Sequence, residues 1–362
     1  MQTEGTGIIA VTTGYWSTNI GNAFFQLSGH YILTQTARQH RVIPLADQPG
    51  FGSCRKPQKP KHSLDLLGMV NCEYVVLQGS ILNRFLPVLW KEAFEIYKQK
   101  NIKIIFLGVG QLDYSREETQ QCRAFLRQYR PYLFVSRDSV AYERFGDLAV
   151  HAYNGIDNAF FLPLAFPKVL LLDIPYLILN FDKGPEPILR FSSADAAAED
   201  SGGQEIFFDN ERLQIRFPRL KTWVGRKVGK YYRYVSALLP RISPPPSHAG
   251  PYQIIRLDNQ MNPLLNRKLY SGPHSFAMDV PYGFLTLLAN TSLTLSDRIH
   301  SCIASLAYGN PAMLFSQSPR RQILSQVGVS QITEHPVTAD LHHLETLRQN
   351  ELNFLTSCFR NS

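Results

Sequence analysis

Short apolar runs alternate with longer amphipathic stretches through the first half of the chain. Each apolar run covers four to six residues, the usual length of a buried strand, and the amphipathic stretches repeat their apolar positions at helical spacing. This alternation favours a parallel sheet with helices on both faces. The pattern predicts strands at 7–12, 42–45, 74–77, 103–107 and 133–136, and helices at 23–39, 87–100 and 117–129.

The alternation returns in the second half, after residue 254. There the pattern predicts a strand at 292–295, a helix from Ile299, a strand at 312–315 and a last helix at 339–359. A chain of 362 residues exceeds the size at which one core usually stops growing, about 250–300 residues. We therefore predict two α/β domains, at 1–165 and 166–338, and a C-terminal helix at 339–362 that packs across the domain junction.

An insertion with its own charge pattern interrupts the second domain at about 192–246. Its first part, 192–211, has six acidic residues, no basic ones and a run of Ser and Ala, which predicts a mobile surface loop. Ten Lys or Arg and no Asp or Glu follow in 212–257, so the formal net charge of +8 is regional. The aromatic and basic segment 212–241 has three interpretations: a solvated charged face, contact with an anionic membrane or polyanion, and nucleic-acid binding. The last is the weakest, because no recognised nucleic-acid motif accompanies it.

The composition is that of an ordinary globular protein, with 44% hydrophobic and 18% charged residues, and it excludes wholesale disorder. The five cysteines are scattered, odd in number and without metal-binding spacing, which indicates a reduced cytoplasmic protein. No apolar stretch reaches the ~18 residues of a membrane span, and the N-terminus lacks the basic start of a signal peptide. We expect a cytoplasmic protein, with peripheral contact at the inner face of the membrane left open.

Polar or glycine-rich residues follow four of the predicted strands. In parallel α/β sheets, ligands bind beyond the carboxyl ends of the strands, so these positions predict the rim of a shared cleft. Tight turns between strand and helix would also select glycine. The four segments are 19–22, 78–80, 108–111 and 137–138.

The strongest chemical signal is the segment 296–300, Ser-Asp-Arg-Ile-His, where a predicted strand passes into a helix. Ser296 or Asp297 is suited to cap that helix. The N–H groups of a helix start, a fixed positive charge and an imidazole that titrates near neutral pH together favour a site for a small anion. Arg298 would clamp the anion and His300 would donate a proton. A salt-bridged arginine beside a packed histidine is the simpler but weaker interpretation.

Further arginines and one Asp-Asn pair follow other predicted strands. Arg137 could reach the anion from the opposite wall, or face solvent beside a helix cap made by Asp138. Arg320 and Arg321 follow the strand at 312–315, where a surface pair is the simpler interpretation. For residues 157–158, Asp-Asn, a helix cap is favoured over binding at the domain junction.

Four residues are candidates for the acceptor half of the cleft. Asn19 and Asn22 suit the hydroxyls of a sugar, although turn chemistry explains them nearly as well. Ser80 lies in the second glycine-containing turn. Asp113 is a possible acid or base without an obvious partner, and a capping or core role competes with that.

Taken together, these segments resemble the polysaccharide pyruvyl transferase family. The matching blocks are 19–22, 78–82, 108–110, 136–139, 157–160 and 296–311, in the family's order along nearly the whole chain. The last block is the specific one: it starts with Ser296 and closes with Gly309-Asn310-Pro311. The resemblance implies two Rossmann-like domains whose parallel sheets face a cleft, the GT-B arrangement. It also implies transfer of pyruvate from phosphoenolpyruvate to sugar hydroxyls, which forms a ketal on a polysaccharide or lipid-linked saccharide.

In that family the Arg and His of the last block serve the donor, which here means Arg298 and His300 as catalytic residues. Our predicted donor site, on the C-terminal domain, adds Arg137, Ser296, Arg320 and Arg321 to Arg298. Our predicted acceptor site, on the N-terminal domain, consists of Asn19, Asn22, Ser80 and Asp113.

The chemistry of phosphoenolpyruvate suits these residues. Its carboxylate and phosphate would be bound by arginines and a helix N-terminus. Protonation of its methylene carbon creates an oxocarbenium-like centre that a hydroxyl attacks, and His300 is the candidate proton donor. This scheme needs no metal and no cofactor; phosphoenolpyruvate and a saccharide acceptor are the expected partners. Two alternatives stay open: a GT-B glycosyltransferase that uses a nucleotide sugar, and a non-catalytic module that binds anions or membranes.

Overall fold

The computed structural model describes residues 7–46, 69–182, 184–192, 203–217, 245–259 and 274–360. Most of the predicted insertion at 192–246 therefore lies outside the described residues; only 192, 203–217 and 245–246 belong to them. The same holds for the basic segment 212–241, of which only 212–217 is described.

The first half forms a six-stranded sheet. Its strands are β1 (Gly7–Thr13), β2 (His40–Ala46), β3 (Tyr74–Leu82), β4 (Lys103–Gln111), β5 (Leu133–Ser136) and β6 (His151–Asn154). They lie in the order β2-β1-β3-β4-β5-β6, and every neighbouring pair is parallel. The central strands are buried, as near-continuous apolar runs predict for a sheet covered on both faces.

Helices connect these strands as the sequence pattern predicts. They are α1 (Gly21–Thr36), α2 (Leu86–Leu89), α3 (Lys91–Gln99), α4 (Arg116–Tyr129), α5 (Ser139–Phe145) and α6 (Leu162–Ala165), with 3₁₀ turns at Gly146–Leu148 and Asn158–Phe161. The single helix predicted at 87–100 was wrong, because it breaks into α2 and α3 at Trp90. The backbone turns there and leaves the Trp90 indole 2% exposed, packed against Phe94.

The described residues of the second half form nine strands in two sheets. They are β7 (Tyr176–Asn180), β8 (Ile188–Ser192), β9 (Gln204–Phe208), β10 (Glu211–Arg216), β11 (His248–Ala249), β12 (Tyr252–Asp258), β13 (Ser275–Ala277), β14 (Leu293–Ser296) and β15 (Ala312–Leu314). The larger sheet has the order β11-β12-β7-β14-β15, and β13 also pairs with β12. All its pairs are parallel except β11 with β12.

The smaller sheet is an antiparallel β8-β10-β9 unit; β9 and β10 lie in the predicted insertion, and β8 ends at its first residue. The predicted mobile loop at 192–211 was therefore wrong for 204–208 and for the turn that follows. Asp209 and Asn210 both have positive φ, 52° and 63°, as a tight hairpin turn requires. Ile206, Leu213 and Ile215 alternate with polar residues and are buried beneath the sheet, which holds the hairpin in place.

The remaining helices are α7 (Tyr282–Asn290), α8 (Ile299–Ala307) and α9 (Leu341–Arg360), with 3₁₀ turns at Pro319–Val327 and Ser330–Thr333. The helix α9 contacts both halves. The Nε of Arg348 donates to the carbonyl of Phe160 at 2.8 Å, and its Nη2 donates to the carbonyl of Ala307 at 3.3 Å. One apolar cluster contains side chains from both parallel sheets, so the predicted boundaries at 165 and 338 stay a prediction.

The predicted fold class is confirmed: two Rossmann-like parallel sheets, layered with helices, face each other in a GT-B-like arrangement. The loop after β1 meets the end of β12, where the Ile20 N–H donates to the Asn259 carbonyl at 2.8 Å. The carboxyl ends of the two sheets therefore converge. Among the described residues, no helix combines the length and apolar character needed to cross a bilayer.

Candidate active site

Three ionisable side chains from different elements meet where the two sheets converge. The Asp157 Oδ2 accepts a hydrogen bond from Nη1 of Arg137 at 3.1 Å and lies 3.4 Å from Nε2 of His300. Arg137 and Asp157 are 0% exposed and His300 is 7% exposed. The structure thus brings together Arg137 and His300, which the sequence placed on opposite walls of one cleft.

The end of β5 and its neighbours fix Arg137. Its backbone N–H donates to the carbonyl of Val109 at 3.0 Å, and its Nη2 donates to the hydroxyl of Ser80 at 2.6 Å. A side chain at Gly110 would come within 2.7 Å of the Arg137 Nε, so the close approach requires glycine. Within the described residues this buried Nε has no acceptor. The helix cap predicted for Asp138 is confirmed, because its Oδ1 accepts from the Ala141 N–H at 2.8 Å.

Asp157 uses its two oxygens for different purposes. Oδ1 accepts from the N–H of Ala159 at 3.0 Å, which confirms the predicted capping role at the start of a 3₁₀ turn. Oδ2 joins Arg137 to His300, and the capping interpretation did not include this contact. Asp157, predicted as a helix cap, therefore also links Arg137 of the first half to His300 of the second half.

Burial and neighbouring charges together set the protonation states of Asp157 and His300. Burial alone would raise the pKa of Asp157, but His300, Arg137 and the N–H of Ala159 hold it at about 2. Burial lowers the pKa of His300, Asp157 opposes this, and Arg137 and Arg320 add to the lowering. At neutral pH the site therefore contains an ionised Asp157 beside a neutral imidazole, and an arriving anion would favour protonation of His300.

Arg298 lies at the start of α8 and pairs with Asp182. Its Nε donates to Asp182 Oδ2 at 2.7 Å, and the Arg298 side chain stays 14% exposed. Asp182 follows β7, and its Oδ1 accepts from the Asn259 N–H at 3.4 Å. The guanidinium is thus held at one edge, which leaves part of it accessible.

The predicted N-cap of this helix was wrong. Arg298 itself is the N-cap residue of α8, with no side-chain cap hydrogen bond. Instead, the carboxylate of Asp297 accepts hydrogen bonds from the N–H groups of Asp182 and Gly184. These bonds close the loop after β7. The hydroxyl of Ser296, 0% exposed, accepts from the N–H of Arg298 at 2.8 Å. Ser296 therefore supports the strand end, and its contact with a donor stays a prediction.

Arg320 is the third arginine of the cluster. Burial lowers the pKa of Arg320, and repulsion from Arg137 and Arg298 lowers it further, so both of these charges act on Arg320. Its only side-chain hydrogen bond recorded among the described residues is a 3.4 Å contact with the Ser318 hydroxyl, so no carboxylate pairs with it there. Arg321 is exposed, and the described part of the chain shows no ion pair for it. The two neighbouring arginines have separate environments.

The acceptor-side asparagines lie next to the imidazole. Asn19 Nδ2 donates to Asn22 Oδ1 at 3.1 Å across the loop that starts α1. A Cβ on Gly21 would lie 3.1 Å from Cβ and 3.4 Å from Nδ1 of His300. Because Gly21 has no side chain, it leaves space beside Nδ1 of His300, the ring nitrogen that does not face Asp157. The hydroxyl of Ser80, also predicted for the acceptor side, accepts a hydrogen bond from Arg137.

Asp113 lies on an exposed loop that a buried carboxylate holds. Glu118 accepts hydrogen bonds from the N–H groups of Asp113 and Tyr114, at 3.1 and 2.8 Å. Tyr114 has a positive φ of 57°, and its hydroxyl donates to Asp138 Oδ2 at 2.7 Å. The charge of Asp113 and the hydroxyl of Tyr114 both act on Arg320, so this loop borders the arginine cluster.

Sequence reasoning missed Asp182 and Tyr114. Asp182 follows Tyr176–Asn180, a strand that was not predicted, so its position at a strand end was hidden. Tyr114 directly follows the predicted site residue Asp113, and its location after β4 was the available signal. Among the described residues, no group of three or more His, Cys, Asp or Glu side chains is arranged to hold a metal ion.

Comparison with known proteins identifies a family but no characterised relative. The family model described as polysaccharide pyruvyl transferase matches residues 30–319. No curated protein matches the chain.

Several solved structures are similar to the chain at low identity. A UDP-N-acetylglucosamine 2-epimerase from Rickettsia bellii is 10% identical, with a TM-score of 0.49 and coverage of 98% of this chain and 97% of that one. The Neisseria meningitidis UDP-GlcNAc 2-epimerase bound to UDP-GlcNAc is 11% identical, with a TM-score of 0.46 and coverage of 97% and 93%. The S. aureus MnaA–UDP co-structure is 10% identical, with a TM-score of 0.46 and coverage of 97% and 90%. At such distance these similarities say nothing about the ligand of this chain.

Proposed function

Because this chain belongs to the polysaccharide pyruvyl transferase family, we propose that it transfers pyruvate from phosphoenolpyruvate to two hydroxyls of a saccharide, as a ketal. The observation that carries the proposal is the arginine cluster. The positive charges of Arg137 and Arg298 both act on Arg320, and no carboxylate among the described residues pairs with it. A cation in that position is stabilised by a bound anion, and phosphoenolpyruvate brings both a carboxylate and a phosphate.

The start of α8 adds a second anion-binding feature. Arg298, the N-cap residue, supplies no side-chain hydrogen bond to the helix N-terminus. The N–H groups of that first turn are therefore suited to a phosphate or carboxylate oxygen. Because the helix starts within the arginine cluster, both features would act on one donor molecule.

His300 is the proposed acid. Its Nε2 faces Asp157, so a proton for transfer would sit on Nδ1, in the space that Gly21 leaves open. The imidazole is neutral in the free enzyme at pH 7, and the negative charge of the bound donor would draw a proton onto it. Asp157 would orient the ring and stabilise the imidazolium.

In the proposed reaction, the proton from His300 bonds to the methylene carbon of phosphoenolpyruvate and C2 becomes oxocarbenium-like. A sugar hydroxyl oxygen bonds to C2 and loses its proton. Phosphate then leaves with the electron pair of its C–O bond, and a second hydroxyl attacks C2, loses its proton and closes the ketal. Of the two hydroxyl protons, one restores the acid and the other leaves with phosphate. Asp113, on the exposed loop beside the arginine cluster, is our candidate to accept a hydroxyl proton. No metal or cofactor enters this scheme.

The acceptor would enter from the side of the α1 loop. Asn19 and Asn22 lie beside His300 and offer amide groups suited to sugar hydroxyls. We propose a polysaccharide or lipid-linked saccharide as the acceptor, a cytoplasmic location, and peripheral contact with an anionic membrane through the basic segment 212–241. That segment is described only at 212–217, so the support for membrane contact is its charge.

A comparison of two adjacent arginines tests the donor site. Arg320→Gln removes a partly buried cation from the cluster, whereas Arg321→Gln changes its exposed neighbour. We expect phosphoenolpyruvate to raise the melting temperature of the wild-type protein. We expect R320Q to weaken its binding by about 10-fold to 100-fold, the loss of one charge-assisted interaction, measured by calorimetry. R321Q should bind within about twofold of wild type.

Equal effects of the two substitutions would argue against the cluster as the donor site. Stabilisation by a nucleotide sugar but not by phosphoenolpyruvate would replace the proposal with a glycosyltransferase. Binding of neither ligand, with loss of function only on deletion of the basic segment 212–241, would instead favour the non-catalytic module.

A further inference from the structure

A second buried carboxyl group lies behind the Asp157 loop. Glu351, on α9, is 0% exposed, and its Oε2 accepts a hydrogen bond from the N–H of Ile156 at 3.0 Å. A Cβ added to Gly155 would collide with that same oxygen, so the carboxyl packs directly on the backbone. The C-terminal helix therefore holds the residue next to Asp157 through a side chain 195 positions away in sequence.

The two neighbouring acids have opposite protonation states at neutral pH. Burial raises the pKa of Glu351 to about 8; the Ile156 N–H opposes the rise and the Asp157 charge adds to it. Glu351 is therefore mostly neutral at pH 7, whereas Asp157 is ionised. Its Oε1 has no hydrogen-bond partner among the described residues, so nothing there compensates a charge on Glu351.

Few other titratable groups face this carboxyl. Tyr153, on β6, is one of them: burial raises the pKa of Tyr153, and the charge of Glu351 raises it further. Arg348 lies one turn earlier on α9, but its guanidinium is directed to the carbonyls of Phe160 and Ala307. Glu345 pairs with Arg348 and is 56% exposed. Asp157 is thus the charge of the site that acts on Glu351.

We propose that Glu351 is a positioning residue for the Asp157–His300 pair. Its neutral carboxyl holds the Ile156 amide and keeps a second negative charge away from Asp157, so that Asp157 serves only Arg137 and His300. Ionisation of Glu351 would add that charge and change the field at the imidazole. The catalytic meaning of this inference rests on the proposed function, but the electrostatic contact does not.

Nuclear magnetic resonance of the histidine rings tests the contact directly. The probe is the ¹⁵N-labelled full-length protein, titrated from pH 5 to pH 10, with His300 assigned through His300→Gln. In the wild-type protein we expect the His300 signals to move in two steps: its own ionisation below pH 6.5, and a second step near pH 8 when Glu351 ionises. In Glu351→Gln the second step should vanish and the first should remain. A single step in wild type, or a second step that survives in E351Q, overturns the proposal.

Two further measurements keep the test decisive. If E351Q fails to fold, ¹³Cδ-glutamate labelling of wild type replaces it: one carboxyl must titrate near pH 8, together with the second His300 step. The control is Glu345→Gln, on the exposed side of the same helix, which should retain both steps. An unchanged pattern in E345Q supports the assignment, and loss of the second step there contradicts it.

An activity arm separates this inference from the proposed function. With phosphoenolpyruvate as donor, the alkaline limb of the wild-type kcat profile should contain a step near pH 8 that E351Q lacks, with an unchanged KM. If no transfer occurs but the two-step titration is seen, the function fails and the contact stands. If transfer occurs and E351Q retains the wild-type step, the positioning role is rejected.

Discussion

At the scale of single residues, nearly every buried charge of the candidate site has a partner. Arg137 has Asp157 and Ser80, and Arg298 has Asp182. Arg320 is the exception among the described side chains of the cluster. Because the other charges are paired, the one cation without a counter-charge indicates where a bound anion would supply the missing partner.

Asp157→Asn tests the pairing by its effect on stability. The substitution leaves Arg137 buried without its counter-charge, so we expect a loss of about 3–5 kcal/mol in the free energy of unfolding at pH 7. The folded-state pKa of Asp157, about 2, lies below its usual value, so its stabilisation is present above pH ~4 and is lost as pH falls towards 2. The difference between wild type and D157N, measured by urea unfolding, should therefore shrink by about 2 kcal/mol at most from pH 5 to pH 2.

The control for this measurement is Asp147→Asn. Asp147 also pairs with an arginine, Arg123, which lowers its pKa, but its side chain is 58% exposed. Solvent screening makes such a pair contribute little, about 0–1 kcal/mol. A D157N protein that unfolds like D147N at every pH would mean that Arg137 does not depend on Asp157.

At the scale of elements, α1 packs against the first sheet unusually closely, through a glycine in its middle. A Cβ on Gly29 would collide with the Gln78 side chain and come within 2.8 Å of Asn158 Nδ2. Gln78 and Asn158 bond each other at 3.0 Å behind the site, and neither can shift without breaking that bond.

Gly29→Ala should therefore destabilise the protein despite the better helix propensity of alanine. Overpacking costs about 1–3 kcal/mol, against a gain of about 1 kcal/mol from propensity, so a net loss of up to ~2 kcal/mol is expected in urea unfolding. The matched control is Gly283→Ala in α7, where the added Cβ meets only the end of the flexible Met278 side chain. G283A should be neutral or slightly stabilising, and a stabilised G29A would show that the packing tolerates a methyl group.

The elements also show what could be predicted from sequence. Apolar runs of strand length predicted the first sheet, because its buried strands alternate with amphipathic helices. The strand at 176–180 was missed because a second apolar run, 169–172, which is exposed in the structure, precedes it by only three residues. The helix Tyr282–Asn290 was missed because it is apolar on nearly every face and lacks an amphipathic period.

The candidate site was predictable only in part, because its contacts are non-local. Its strand-end positions marked Arg137, Arg298 and His300, but 143 positions separate His300 from Asp157, and the sequence contains no pattern that joins them. Arg320 and Arg321 are equivalent in sequence, and only burial distinguishes them. The pairing of charges is set by tertiary packing.

At the scale of the whole molecule, the two parallel sheets share one apolar core. The cluster contains Ile9 and Val11 of the first sheet, Ile178 and Ile255 of the second, and Leu344 of α9. Domains that share a core lose buried area together when either unfolds, so their unfolding free energies are coupled. Arg348 strengthens the coupling, since its guanidinium bonds a carbonyl from each half.

We therefore expect one cooperative thermal transition, although a chain of this size often unfolds in steps. In calorimetry, Arg348→Met should lower the melting temperature of the whole transition by several degrees, because two buried carbonyls lose their donor at a cost of about 2–4 kcal/mol. Glu345→Gln, which removes only the exposed partner of Arg348, should change it little. Two resolved transitions in the wild-type protein would show that the halves unfold independently. If R348M alone split the transition, the shared apolar cluster would be insufficient without α9, and the C-terminal helix would be the element that joins the halves into one unit.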